Sequence, residues 1–480
     1  MEKYIWIDGR ELLTTNRLDL MAKYTYVESI ATGQGIRWAR ELYCRHIEAF
    51  SGGSFREPGN AGKTSLQSYI DTFNRLISDI SAGGIDPGIS LIPVSGDQKI
   101  LDGAHRVSIA AYYNLKVPCL VKEEYSTYDY AFFHKMHLDQ KYIDAMATKY
   151  VEVHGQRCYV ICLWPKACRD TVKLQHADSL IKARANGKVL CTKDIKISYK
   201  GLRNLMLQAY IQHEWVGTPE NHFKGVQGKA DPCYDSCEKL RTYIIEMDSV
   251  SDILELKKEI RDCFNIGNDS MHSSDNYEET LLLTHLLYNE NSLKLLNYGQ
   301  VDYDSAFINK VNSFGAELKK KGLDTDRFIV ESSSILGLYG IRKVGDLDYL
   351  TTEKHIVLEN KEYDDHAGYY NYAGYYNTEA GELIQNPLLH CYAFGMKFIS
   401  IEMLRVFKVN RGSKKDLDDI KLIDLKLRQA RSLKLFIGCK LIIIKRTCRN
   451  IKTKIRQLFE DNNIHFFTKA WHFLRGKGFR

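Results

Sequence analysis

The chain lacks any run of about 20 apolar residues, the length that a membrane-spanning helix needs. Its apolar stretch near the end, residues 433–444, is broken by Lys434 and Lys440. The opening MEKYIWIDGRELL has no apolar h-region, so no cleaved secretory signal is expected. Both absences predict a soluble, cytoplasmic protein, peripheral to a membrane at most. Proline is scarce, at 8 of 480 residues, while 11% of residues are aromatic, which excludes a disordered chain. The 12 cysteines include two C-x3-C pairs, Cys158/Cys162 and Cys233/Cys237, with no C-x2-C or His-x3–5-His beside them. Free thiols in a reducing compartment fit that spacing better than a zinc site. Gly62-Lys63-Thr64 resembles the end of a phosphate loop, but Glu57 stands where G-x4-GK[ST] requires glycine, so the stretch reads as a loop.

What is present suffices for several cores: 480 residues, 44% hydrophobic, suggest two to four domains. The net charge of +7 is unevenly placed. Residues 421–480 hold 16 basic and 3 acidic side chains, a net of +13, and the first 420 carry a net of −6. A basic helical tail over 433–480, with Phe466, Phe467, Trp471 and Phe473 interleaved, could grip anionic lipid at the inner membrane face or nucleic acid. A solvated helical face is the alternative.

Residues 91–121 read LIPVSGDQKILDGAHRVSIAAYYNLKVPCLV. Alternation predicts a strand, Gly96-Asp97 a hairpin turn, and a second strand running into Leu101. A helix then opens at Gly103, with His105 and Arg106 in its first turn as donors for a phosphate. Arg17, Asp19 and Lys23 lie within two helical turns and could line the same pocket; exposed helix charges are the alternative. This pattern resembles the ParB/sulfiredoxin-like fold over roughly residues 1–140, which implies nucleotide hydrolysis, small-molecule kinase activity or DNA binding. No helix-turn-helix follows it.

The second block, 150–298, opens on the apolar strand CYVICL and ends in LKKEIRDCFNIGNDSMHSSDNYEETLLLTHLLYN. Its Arg261, Phe264, His272, Ser274, Asp275 and Glu278 match the nucleoside diphosphate kinase active-site pattern, with Arg241 and Tyr210 at further family positions. The resemblance implies a ferredoxin-like sheet and a phosphate-accepting His272 flanked by Arg241 and Arg261. The chain departs from the pattern at Trp164-Pro165-Lys166, Asp269 and Leu283.

The third block, 300–432, contains FIVESSSILGLYGIRKVGDLDYL. A strand runs into Ser332-Ser333-Ser334, a helix follows, and a second strand carries Asp346 and Asp348. Carboxylates at i and i+2 of a strand share one face about 7 Å apart, which suits Mg²⁺. A serine pair followed by D-h-D resembles a minimal nucleotidyltransferase core, and Glu359 is the expected third carboxylate. Gly395, Lys397 and an R-x3-KD-x2-D pattern at Arg411, Lys415, Asp416 and Asp419 resemble that family's supporting helices. AGYYN, repeated within HAGYYNYAGYYNTEAG, reads either as a ring-stacking loop or as a packed surface loop.

The expectation is therefore an α+β multidomain chain with ParB/sulfiredoxin-like, ferredoxin-like and nucleotidyltransferase-like domains and a basic tail. The three resemblances imply a multifunctional kinase and nucleotidyltransferase using Mg²⁺ and a nucleoside triphosphate, ATP or CTP, on a sugar or polyol phosphate. Surface-glycan precursor synthesis is the pathway this domain company suggests. Ser333, Ser334 and Lys415 would touch the triphosphate. A nucleic-acid-binding ParB-like protein and a nucleotide sensor without turnover stay open as alternatives.

Overall fold

A computed structural model describes residues 3–55, 65–360, 362–366 and 372–429. The tail of 433–480, the Gly62-Lys63-Thr64 stretch and the first AGYYN lie outside the described residues. Those described form a mixed α and β fold with three separate sheets, all in one compact unit, Met1–Lys426. Among them no helix is long and apolar enough to cross a membrane.

The first sheet joins β1 (Ile5–Asp8), β2 (Ile92–Val94) and β3 (Lys116–Val121) in the order β1-β3-β2, with β2 parallel and β1 antiparallel to β3. The turn at Gly96-Asp97 forms, but the expected returning strand shrinks to one bridge, Val94 to Ile100. The Ser95 amide donates to the Lys99 carbonyl at 2.8 Å and the Leu101 amide to the Pro93 carbonyl at 2.9 Å, but the Lys99 amide goes to the Ser95 hydroxyl at 3.1 Å, so the pairing stops at one bridge. The helix Ala104–Tyr112 follows Gly103, whose φ of +86° favours glycine. A Cβ there would also come within 2.5 Å of the Ile92 Cδ1 methyl.

The second sheet holds β4 (Cys158–Leu163), β5 (Val189–Lys196), β6 (Lys239–Glu246) and β7 (Met271–Ser273), all antiparallel, in the order β5-β6-β4-β7. β4 is buried along its whole length, which is why it reads as an unbroken apolar run. On one face Ile161, Leu163, Tyr243 and Ile245 pack with Leu174, Ala177, Ile253 and Leu256, from the helices Thr171–Arg184 and Val250–Phe264. The helix Tyr277–Leu287 also contacts β4, and its Thr280 hydroxyl donates to the Cys158 carbonyl.

The third sheet is mixed. β8 (Phe328–Val330) lies between β9 (Leu347–Thr351), antiparallel to it, and β12 (Met396–Ile399), parallel to it. β10 (Tyr363–Asp365) extends β9 in parallel, and β11 (His390–Ala393) pairs antiparallel with β12. The R-x3-KD-x2-D pattern is a buried clamp between the helices Ile401–Arg411 and Lys414–Gln429. Asp416, fully buried, accepts from Lys408 at 3.0 Å and Arg411 at 2.6 Å, while Asp419 pairs with Lys408 at 2.8 Å. Lys415 is exposed and takes no part in this clamp.

His390, buried on β11, uses Nδ1 on the Leu383 carbonyl at 2.9 Å. Burial, then the Lys397 charge, pushes its imidazole down to about 3. The folded chain therefore binds fewer protons than the unfolded chain below the ordinary histidine value, and stability should fall as pH drops through 6.5. The expected slope is about 1.4 kcal/mol per pH unit, or about 2 kcal/mol between pH 6.5 and 5. Denaturant titrations of the wild type and His390→Phe check this, the variant having the shallower slope.

Candidate functional site

The residues singled out in the sequence fall in three places. In the first, Arg17, Asp19 and Lys23 bind one another rather than facing a pocket. Asp19, 1% exposed, accepts from Arg17 at 2.8 and 3.0 Å and from Lys23 at 2.8 Å; Lys23 also meets His46 Nε2 at 3.0 Å. Although burial opposes its charge, Arg17 and Lys23 hold the Asp19 carboxyl far below the usual range. His105 is drawn inward, Nε2 to the Tyr43 hydroxyl at 2.8 Å, with its ring edge-on to Phe73. Arg106 turns to Ser90 and Asp102 beside Gly103.

In the second place, His272 sits on β7 with both ring nitrogens engaged. Nδ1 meets the Tyr210 hydroxyl at 2.9 Å, and Nε2 meets Glu279 at 2.9 Å. The carboxylate holding it is thus Glu279, while Glu278 of the sequence pattern is exposed. Arg241 does not join it. Cys162 pairs in register with both His272 and Thr242, so those three share a face, and Arg241, one residue on, projects from the other. There Arg241 forms a two-pronged bond to Asp194 at 2.6 and 2.8 Å and pairs with Asp178. Arg261 is near enough for its charge to act on Tyr210. In this geometry His272 can attack phosphorus through Nδ1 only after giving up Tyr210, and Arg241 is unavailable to neutralise the phosphate.

The third place brings chemistry together. Glu331 follows the end of β8, and Ser332 turns the chain with φ +54°, a strained value for serine. Ser333 opens the next helix, and Ser334 Oγ is buried with no hydrogen-bond partner among the described residues. Parallel register sets Asp348 of β9 directly beside Asp364 of β10. His366 lies two residues beyond Asp364, and ligand atoms of all three lie within 4.8 Å of one another. Among the described residues this is the one group of three or more such side chains with metal-holding geometry.

Beneath it, Glu331, fully buried, bonds His366 Nδ1 with one oxygen and accepts from the Tyr376 hydroxyl with the other. That leaves His366 Nε2 facing Asp348 at 3.7 Å and Asp364 at 3.5 Å. A carboxylate on one ring nitrogen commonly aims the other at a metal. Burial, with the Asp346 and Glu331 charges, raises the Asp348 carboxyl to about 6, against the pull of His366. Burial works against a charged His366, but Glu331, Asp348 and Asp364 outweigh it and raise its pKa.

Asp346 is exposed just before β9 and acts on Asp348 through its charge. Glu359 is outside the group: it is exposed, ion-paired with Lys320 and Lys321, and precedes β10. The carboxylate that strand register places beside Asp348 is Asp364, in the sequence EYDDH. The sequence signal for it is the D-D-H run of Asp364, Asp365 and His366. Tyr376, from the second AGYYN, is buried against Phe407, so this part of the repeat is a packed loop. Cys158 and Cys162, both buried on β4, are four strand residues apart, about 13 Å, too far to share one ion. Comparison with protein-family models, with curated proteins and with solved structures finds no match for the chain.

Proposed function

We propose that the third sheet is a nucleotidyltransferase centre, in which a divalent cation held by Asp348 and Asp364 orients a nucleoside triphosphate. The observation that carries this reading is the in-register Asp348–Asp364 pair, with His366 aimed at both by a buried Glu331. The strand, serine turn, helix and acidic strand succession supports it, as does the antiparallel β8/β9 and parallel β9/β10 order.

The donor set fits a divalent ion: two carboxylates suit Mg²⁺, and an imidazole adds affinity for Mn²⁺. Such an ion supplies charge neutralisation on the triphosphate and its leaving group. Ser333, partly exposed at the start of the helix, is a donor for phosphate oxygens, and the buried Ser334 hydroxyl would reach one only if the serine turn opened. Glu331 keeps His366 in place, and His366 spaces the two carboxylates. An acceptor phosphate oxygen of a sugar or polyol phosphate forms the new bond to the α-phosphorus, the α–β bridge breaks, and pyrophosphate leaves. The order of the second sheet supports a ferredoxin-like domain beside it, in a structural or nucleotide-sensing role given the engaged His272.

Phosphorus NMR of the full chain with ATP and CTP, Mg²⁺ or Mn²⁺, and a panel of sugar and polyol phosphates tests this reading. Pyrophosphate together with a new diphosphate diester is expected. Formation of nucleoside diphosphate with a phosphomonoester would overturn it in favour of kinase chemistry, and a spectrum unchanged across the panel would favour a protein without turnover.

A further inference from the structure

A second site lies apart from this centre. A cavity of about 660 Å³ opens where the segments bearing the three sheets meet, within the range of small-molecule sites. It touches Arg327, just before β8, and Thr352, just after β9. Asp348 is near the other end of β9, four strand residues from Thr352, so the two sites lie about 13 Å apart along the strand.

The cavity wall is unusual in its charge. Four cationic and four acidic side chains line it, and most are paired within the wall. Lys149 binds Glu28 at 2.9 Å and Glu152 at 2.8 Å, Glu152 continues to His285 Nε2 at 3.3 Å, and Lys397 pairs with Asp326 at 3.5 Å. Arg327 reaches outward to Glu353 at 2.6 Å. Lys149 and Glu152 nevertheless keep 17% and 24% of their side-chain surface accessible.

Apart from Arg10, these wall charges are matched, so a charged ligand gains little from them. Hydrogen-bond capacity does remain, because each ionised carboxylate has about four acceptor positions. Glu28 commits one oxygen to Lys149, and Glu152 commits one to Lys149 and one to His285, so acceptor positions are left on both. Aromatic rings border them too: the half-buried Tyr277 ring lines the space, while His285 and Tyr392, stacked at 3.9 Å and 12°, and Trp38, stacked on Tyr142, present only their edges. Neighbouring hydroxyls donating to carboxylate oxygens, with C–H faces against rings, describe a carbohydrate.

We infer that this cavity binds a neutral polyhydroxylated molecule, a polyol or small saccharide, at a site distinct from the Asp348–Asp364 centre. The site does not depend on nucleotidyl chemistry, and its failure is separable from failure of that reading.

Saturation-transfer NMR on the full chain, with ribitol and sucrose as probes and with glycine and inorganic phosphate as charged controls, tests it. Saturation of ribitol or sucrose is expected. It should weaken about tenfold in Thr352→Trp and Ala145→Phe, which fill the cavity, and stay unchanged in Asp348→Asn. No saturation of either neutral probe, equal binding by both filled variants, or displacement by phosphate or glycine would overturn the inference. If the filled variants do not fold, hydrogen–deuterium exchange of the wild type with ribitol decides. Slowing confined to the helix Gln140–His154 and to residues 381–392 supports the site, and slowing elsewhere or nowhere removes it.

Discussion

Asp348→Asn is expected to reduce pyrophosphate release on the order of 10³-fold, with Asp364→Asn close behind and Glu359→Gln unchanged. Asp348 and Asp364 are the two carboxylates brought together in register, whereas Glu359 is spent on surface lysines. Stability should move the other way. The folded-state carboxyl of Asp348 is raised to about 6 from an ordinary value near 3.8. The folded chain thus holds a proton there more tightly than the unfolded chain, and ionising Asp348 costs stability as pH rises through 6. Without bound cation, Asp348→Asn should therefore be more stable at pH 7, by at most about 3 kcal/mol. A bound cation competes with that proton for the same oxygens, so cation affinity should weaken as pH falls through 6. A pyrophosphate-release assay reads the first effect, denaturant melts of both proteins the second, and Mn²⁺ titration followed by electron paramagnetic resonance the third. An Asp348→Asn protein that keeps full pyrophosphate release would remove the proposed centre.

Asp19→Ala should destabilise the chain by about 3–5 kcal/mol, because it leaves the Arg17 and Lys23 charges buried without their shared partner. Such a loss is a large part of the usual 5–15 kcal/mol stability of a domain. Arg17 is 2% and Lys23 3% exposed, so water cannot replace the carboxylate. Asp19→Asn should cost less, since it keeps one acceptor oxygen. The Asp19 carboxyl is held far below its ordinary value, so its contribution is full above about pH 4 and fades as acid titrates it below. Urea unfolding at pH 7 and pH 3 measures both effects. A loss under 1 kcal/mol, accompanied by lost phosphate binding, would return these residues to the ligand-facing role that their spacing suggests.

The second sheet was legible where burial wrote itself into the sequence. CYVICL is apolar throughout because β4 is covered on both faces, and its predicted bounds match the strand. The Ser332-to-Asp348 succession was legible for a similar reason, since strand, turn and strand each follow local rules. The strand expected to return after Gly96-Asp97 was not legible, because the Ser95 hydroxyl captures the Lys99 amide and competes with the ladder.

Sequence by itself determined the α+β composition, the buried strand β4, and the acidic strand bearing Asp348. Tertiary structure decided who meets whom. Alternation along β6 sends Arg241 to the face opposite His272, and only the strand register makes that visible. Parallel pairing of β9 with β10 selects Asp364 over Glu359, although Glu359 lies nearer to Asp348 in sequence. Buried ion pairs take Arg17 and Lys23 inward, since a cation removed from water is retained only against a fixed anion. Each outcome depends on contacts between segments distant in sequence or on a side chain's choice of face, and neither follows from local residue spacing alone.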